Sequence, residues 1–206
     1  LAEVDDPLSS RVCHAHQIAP IGARGAPYAD SLSPVLDVRD LAVHFPIRKG
    51  LLKRTVGQVK AVDGVSFQVA AGETLALVGE SGCGKTTLAR AILRLIEPTA
   101  GQVSLLGEPL AGLQGEALRR KRADMQIVFQ DPFSSLNPRM KVGEILAEGM
   151  AALSLLPVSA RPARIADLLS QVGLPEDSVS RYPHEFSGGQ RQRIAIPRAL
   201  AVEPKK

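Results

Sequence analysis

Tryptophan is missing from this 206-residue sequence, and aromatic residues of all kinds make up only 3% of it. Stacking platforms for single-stranded nucleic acid draw on exposed aromatics, so that class of binding is poorly supplied. The two cysteines, Cys13 and Cys83, lie far apart. No disulfide framework is expected from such a pair, which fits a reducing compartment. No apolar run approaches the ~20 residues that span a bilayer. The opening residues Leu1-Ala2-Glu3-Val4-Asp5-Asp6 are acidic where a secretory leader is basic, so no signal peptide is expected. Neither sign of charge dominates: the formal net charge is +4, with 22% charged and 45% hydrophobic residues, as in an ordinary globular protein. The densest basic cluster, Arg119-Arg120-Lys121-Arg122, reads as a solvated helix face. A chain of this length can bury one sizeable core, with or without a tail.

What the sequence does concentrate is glycine beside a lysine and two threonines. Gly79-Glu80-Ser81-Gly82-Cys83-Gly84-Lys85-Thr86-Thr87 spells G-x-x-x-x-G-K-[ST]. It follows the apolar stretch Thr74–Val78, which reads as a strand, and precedes Leu88–Leu93, which reads as a helix. Strand, glycine loop and helix in that order make a phosphate cradle. Glycines let backbone N–H groups turn toward phosphate oxygens with no Cβ in the way. Lys85 has the reach for β- and γ-phosphates, and the Thr86 hydroxyl suits Mg²⁺. Gly79, Ser81, Gly82, Cys83, Gly84, Lys85, Thr86 and Thr87 are therefore candidate nucleotide-binding residues, for a nucleoside triphosphate with Mg²⁺.

Residues 1–34 are rich in Pro, Gly, Ser and Ala without clear periodicity and read as a linker or the tail of a preceding domain. From Val35 the order increases. Val35–Phe45 reads as a strand with a break, Val56–Val69 as at least one more, and Arg48–Arg54 as an exposed hairpin loop between them. The helix after the glycine loop is expected to end near Glu97-Pro98. Gln102–Leu106 reads as a short strand and Met125–Phe129 as a buried one. From Val142 to Val172 the pattern is helical, with breaks expected at Pro157 and Pro162.

Two further motifs stand later in the chain. Gln130 ends the apolar run Met125–Phe129 and precedes Asp131-Pro132, placing an amide at a strand's carboxyl end, where open α/β sheets hold ligand groups. Phe186-Ser187-Gly188-Gly189-Gln190-Arg191-Gln192-Arg193 opens a helix expected to run to about Val202, with Ser187 as N-cap. Two glycines in its first turn let an anion approach the free N–H groups.

The trio Gly79–Thr87, Gln130 and Ser187–Gln190 resembles the nucleotide-binding domain of ABC transporters, over roughly Val35 to the last residue. The stretch Gln130-Asp131-Pro132-Phe133-Ser134-Ser135-Leu136-Asn137-Pro138-Arg139 is similar to the glutamine-loop region of ATPases that power dipeptide, oligopeptide and nickel importers. The resemblance implies an α/β P-loop NTPase core with an N-terminal antiparallel β subdomain and a helical subdomain at about 131–186, incomplete at the C-terminus. By the same resemblance Phe45 stacks on adenine, although a strand Phe is more often core. Lys85 and Gln130 would serve catalysis, and Thr86 and Gln130 would hold Mg²⁺. Ser187, Gly188, Gly189 and Gln190 would complete the site of a second ABC ATPase domain that closes face to face over two ATP molecules. The remaining implied partners are membrane permease subunits, met by the helical subdomain, and indirectly a solute-binding protein. No nucleic acid is implied, and the implied location is the cytoplasmic face of the plasma membrane, peripheral.

The sequence also departs from that family. It ends at Ala201-Val202-Glu203-Pro204-Lys205-Lys206, where the family continues into the apolar Walker B strand, its Asp, the catalytic Glu and a later histidine. The expectation for these residues alone is nucleotide binding without efficient hydrolysis, with unpaired sheet edges and poor autonomous stability. Pro197 stands where the family usually has alanine, and a helix kink is expected there. Val12-Cys13-His14 resembles a cysteine-bearing tail of peptide-importer ATPases, suggesting a preceding fused domain; one cysteine holds no cluster, so no metal is assigned there. Other readings are a soluble ABC ATPase acting on DNA, a non-hydrolysing nucleotide-binding remnant and, more distantly, a P-loop kinase, which leaves Ser187–Gln190 unexplained.

Overall fold

The computed structural model describes residues 33–50, 54–129, 131, 135–153 and 156–204. These residues divide between Leu113 and Gln114 into two compact units. The first is an antiparallel sheet with one helix. Strand β1 (Leu36–Lys49) pairs with β2 (Arg54–Val69) on one side and with β3 (Ala100–Leu105) on the other, and β3 pairs with the short β4 (Glu108–Pro109), giving the order β2-β1-β3-β4. Helix α1 spans Lys85–Ile92. Val38, Leu41 and Val43 of β1, Val62 and Val65 of β2 and Leu88 and Ala91 of α1 are buried. Their burial removes apolar area from water, the main favourable contribution in a unit this small.

The break expected within the first strand is a bulge. The β1–β3 register shifts between Arg39 and Ala42, and Asp40 adopts φ 46. Gly101 lies against this bulge with φ +88, and a Cβ there would stand 2.3 Å from the Asp40 carbonyl oxygen. Gly101→Ala should therefore destabilise the protein by about 1–3 kcal/mol, read as a lower denaturant midpoint.

Helix α1 ends earlier than the sequence suggests, at Ile92 instead of near Pro98. Arg94 takes a left-handed conformation (φ 50), and its guanidinium donates to the carbonyl oxygens of Leu110 (2.6 Å) and Leu113 (2.8 Å) and to Glu97. That anchoring stops the helix before proline does.

The second unit is helical. Helix α2 covers Gly115–Ala123, α3 Val142–Ala152, α4 Arg161–Gln171 and α5 Gly188–Leu200, with 3₁₀ turns at Val158–Ala160, Glu176–Ser180 and Pro183–Glu185. Buried positions repeat at helical spacing: Val142, Ile145, Leu146 and Met150 on α3, Ile165, Leu168 and Leu169 on α4. They form one core with Leu174, Phe186 and Ile194. The helical run breaks near Pro157, as expected, but Pro162 opens α4 instead of interrupting it. In a first turn the missing N–H leaves no intrahelical bond unmade.

Two expected strands do not form. Thr74–Val78 makes only an isolated bridge at Leu75, and Met125–Phe129 belongs to no ladder. Val78 is 82% exposed, and Val128 and Phe129 are exposed along a groove lined also by Ala195, Ala199 and Val202. A central strand is held by continuous ladders to its neighbours, and among the described residues these segments make none beyond the single bridge at Leu75. The fold is nonetheless that of an α/β P-loop NTPase-like core with an N-terminal antiparallel β-sheet subdomain and a C-terminal helical subdomain. Among the described residues no helix is long and apolar enough to cross a membrane.

Candidate functional site: a glycine loop and a capped glycine helix

The Gly79–Thr87 loop runs into α1 through Gly84, which caps the helix in a left-handed conformation (φ 98), with Gly82 also at positive φ (84). No side chain caps the helix, and its first turn contains no acid. Its N–H groups and the positive end of its dipole are therefore free of a competing carboxylate. Lys85 Nζ donates to the carbonyl oxygens of Gly79 and Glu80, each at 2.7 Å, and stands 3.5 Å from Cys83 Sγ. These bonds coil the loop around its own ammonium and leave a cation that no carboxylate neutralises among the described residues. A Cβ on Gly79 would meet Cys83 Sγ at 2.6 Å, so the thiol fills the space that the glycine leaves. Donors, uncompensated positive charge and a bare backbone fit a polyphosphate.

Thr86 is exposed and Thr87 half-buried at the start of α1, placing the Thr86 hydroxyl beside the helix N-terminus. Among the described residues there is no group of three or more His, Cys, Asp or Glu side chains that would hold a metal by itself. A metal here would depend on Thr86 together with ligand phosphates. Gln130, expected to serve metal binding and catalysis, lies outside the described residues.

Phe45 is 42% exposed on β1, opposite Val59 of β2, and takes no part in the core. Next to it, His44 donates its backbone N–H to Thr99 Oγ (2.9 Å), while its Nε2 lies 2.9 Å from Asp63 Oδ1. Lys60 donates to the other oxygen of Asp63 (3.1 Å). This clip spans the part of the β1–β2 ladder where the register shifts. Sequence reasoning missed it, because the pairing depends on a bulge that no local pattern announces.

His44, and after it Lys60, hold the Asp63 carboxyl below its ordinary value of 3.8. A depressed carboxyl stabilises the fold fully above its unfolded value and loses that contribution as pH falls through the lowered folded value. Acid titration should thus loosen the hairpin only below about pH 4, and Asp63→Asn should flatten that limb of a stability–pH curve.

In the second unit Ser187 caps α5. Its Oγ accepts from the N–H of Gln190 (3.3 Å), and Gln190 Oε1 accepts from the N–H of Ser187 (3.0 Å). This reciprocal pair fixes the helix start as the sequence predicts. All four residues Ser187–Gln190 are exposed, and Gly188 and Gly189 face open space. Arg191 braces the approach, its guanidinium donating to the carbonyl oxygens of Phe186 (2.9 Å) and His184 (3.3 Å).

Helix α5 continues past the buried Pro197 to Leu200. The proline does not break the helix, because Ala201 still donates to Pro197 O (2.8 Å) and the helix face stays packed. It nevertheless removes the bond to Arg193 O. Pro197→Ala should raise stability by about 1–3 kcal/mol, seen as a higher melting temperature.

The family model described as ABC transporter matches residues 62–205. This chain belongs to the ABC transporter ATP-binding family. The chain is 50% identical over 172 residues to the oligopeptide transport ATP-binding protein AppF of Bacillus subtilis, covering 83% of this chain and 52% of that protein. It is 52% identical over 172 residues to a putative peptide import ATP-binding protein of Brucella ovis, covering 84% of this chain and 52% of the relative. A glutathione import ATP-binding protein of Pectobacterium atrosepticum is 50% identical, with 84% of this chain and 28% of that protein covered. The chain thus spans about half or less of these relatives. Among solved structures, a dimeric bacterial ABC transporter cassette superposes with a TM-score of 0.70 at 27% identity, covering 82% of this chain and 70% of that one. An ATP-binding cassette solved as a dimer with ADP and Pi gives 0.69 at 27% identity, with the same coverage.

Proposed function

We propose that this ABC-family chain is the nucleotide-binding part of an ATPase that drives import of peptides or similar small solutes through a membrane permease. The observation that carries the reading is the Gly79–Thr87 loop, with an unneutralised Lys85 at an uncapped, acid-free helix start. Peptide import as the work done is supported by similarity over most of the chain to proteins named for oligopeptide and peptide import.

ATP with Mg²⁺, when bound, supplies the phosphoryl group and the charge around which the site is built. Lys85 exchanges its loop carbonyls for phosphate oxygens, Thr86 offers its hydroxyl to the metal, and the loop glycines present N–H groups. Phe45, exposed and backed by the His44–Asp63 clip, is the surface for the base. Gln130 senses the γ-phosphate. On a second ABC domain's nucleotide, the N–H groups of Gly188 and Gly189 and the polar ends of Ser187 and Gln190 close the site. Differential affinity of ATP for the closed pair then moves the permease. The whole protein works peripherally on the cytoplasmic side of the membrane, and a separate solute-binding protein delivers the cargo.

Reconstitution of the full-length protein with its permease and binding protein in proteoliposomes tests this reading. Labelled oligopeptide should accumulate only when ATP is supplied on the ATPase side. Nucleotide turnover that no peptide or small solute stimulates would contradict the import assignment while leaving nucleotide binding intact.

A further inference from the structure

Strand β3 pairs with β1 no further than Ala42, and the buried residues of β1 and β2 stop at Val43 and resume at Val62. Beyond that point the two strands form a two-stranded arm, with Lys49 opposite Arg54 near its end. Arg48, Lys49, Arg54, Val56 and Val59 of this arm are all exposed, Val56 to 57%. From Leu41 to Val62 the sequence contains no Asp or Glu. Lys60 is held by Asp63, but Arg48, Lys49 and Arg54 have no ion-pair partner among the described residues. Residues 51–53 lie outside the described residues and form no part of the surface considered.

An arm end that carries three cations without ion-pair partners beside an exposed valine, and no acid, attracts anionic surfaces that also offer apolar material and repels basic partners. We propose that this end docks on an anionic phospholipid surface, with Arg48, Lys49 and Arg54 at the headgroup phosphates and Val56 against the interfacial layer, leaving Val59 and Phe45 further back along the arm clear of the lipid. A bilayer presents phosphate beside apolar material at every lateral position, so it takes both kinds of side chain without matching them one by one. An acidic protein patch would satisfy the cations and leave Val56 outside the charged contacts. Each basic residue near an anionic membrane contributes about a fivefold factor in partitioning, so three give roughly a hundredfold. That strength suits orientation of a subunit already tethered by partners rather than anchoring by itself. The proposal does not depend on which solute is carried.

The test is co-sedimentation of the full-length protein with vesicles of phosphatidylcholine alone and with phosphatidylglycerol added, at low and high salt. Binding is expected only with phosphatidylglycerol, falling steeply with salt. The triple variant Arg48→Gln/Lys49→Gln/Arg54→Gln should lose it by roughly a hundredfold while ATP binding is unchanged. Val56→Ser should weaken it without altering the salt dependence. If a triple variant proves unfolded, the single variants Arg48→Gln and Arg54→Gln should each lower binding about fivefold. Equal binding to both vesicle types, or equal binding of wild type and variants, would overturn the proposal. So would salt-sensitive binding that appears only when the permease is present in neutral vesicles, since the partner would then be an acidic protein surface.

Discussion

Lys85→Ala should lower ATP affinity by at least about a hundredfold in equilibrium titration. The size comes from what the ammonium can offer: two or more charge-assisted hydrogen bonds, each about 1.5–3 kcal/mol, at a helix start with no other cation. In the structure those donors rest on the carbonyls of Gly79 and Glu80, so alanine also removes the groups that coil the loop. Lys85→Arg separates the two effects. A guanidinium keeps the charge but not the compact fit, and part of the affinity should survive only if charge at that point matters. Alanine and wild type binding ATP equally would dismiss the phosphate assignment.

Ser187→Arg should leave ATP affinity within about threefold of wild type, yet reduce turnover of the full-length protein by about 10²–10³. Ser187 caps α5 and is no part of the glycine loop Gly79–Thr87 in the sequence. It does remove the acceptor for the Gln190 N–H, which costs about 1 kcal/mol of helix capping. It also sets a long cation beside Gly188 and Gly189, whose surroundings are now open. Loss of turnover with retained binding is what a face that completes a partner's site demands. The control is Ser187→Thr, which can cap and should keep much of the activity. Failure of Ser187→Arg to bind ATP would mean that this helix start serves its own chain's nucleotide instead.

The parts of the candidate site whose local structure the sequence reveals are those encoded by neighbours in the chain. Gly79–Thr87 is legible because glycine spacing, lysine and threonine act within one turn of backbone. Ser187 is legible as the N-cap because a hydroxyl stands just before the helical run, whereas the reciprocal bond from Gln190 is seen only in the structure. The antiparallel strands of the first unit and the helical spacing of Val142, Ile145, Leu146 and Met150 are likewise visible in the pattern. Thr74–Val78 and Met125–Phe129 read as strands from composition alone, but a strand is a relation between segments, and their ladders are not made among the described residues. The bulge at Asp40, the close approach of Gly101 and the His44–Asp63 clip depend on register and have no local signature. Pro162 misleads for the opposite reason: its effect depends on its place in a helix, and at the first turn proline is welcome.

The most direct measurement on the central claim is calorimetric titration of the full-length protein with ATP, ADP, AMP and adenosine, each with Mg²⁺. A loop that grips phosphates predicts an affinity that falls stepwise as phosphates are removed, with AMP and adenosine far weaker than ADP. Adenosine or AMP binding as tightly as ATP would contradict it, because the nucleotide would then be held by its base and not by Gly79–Thr87.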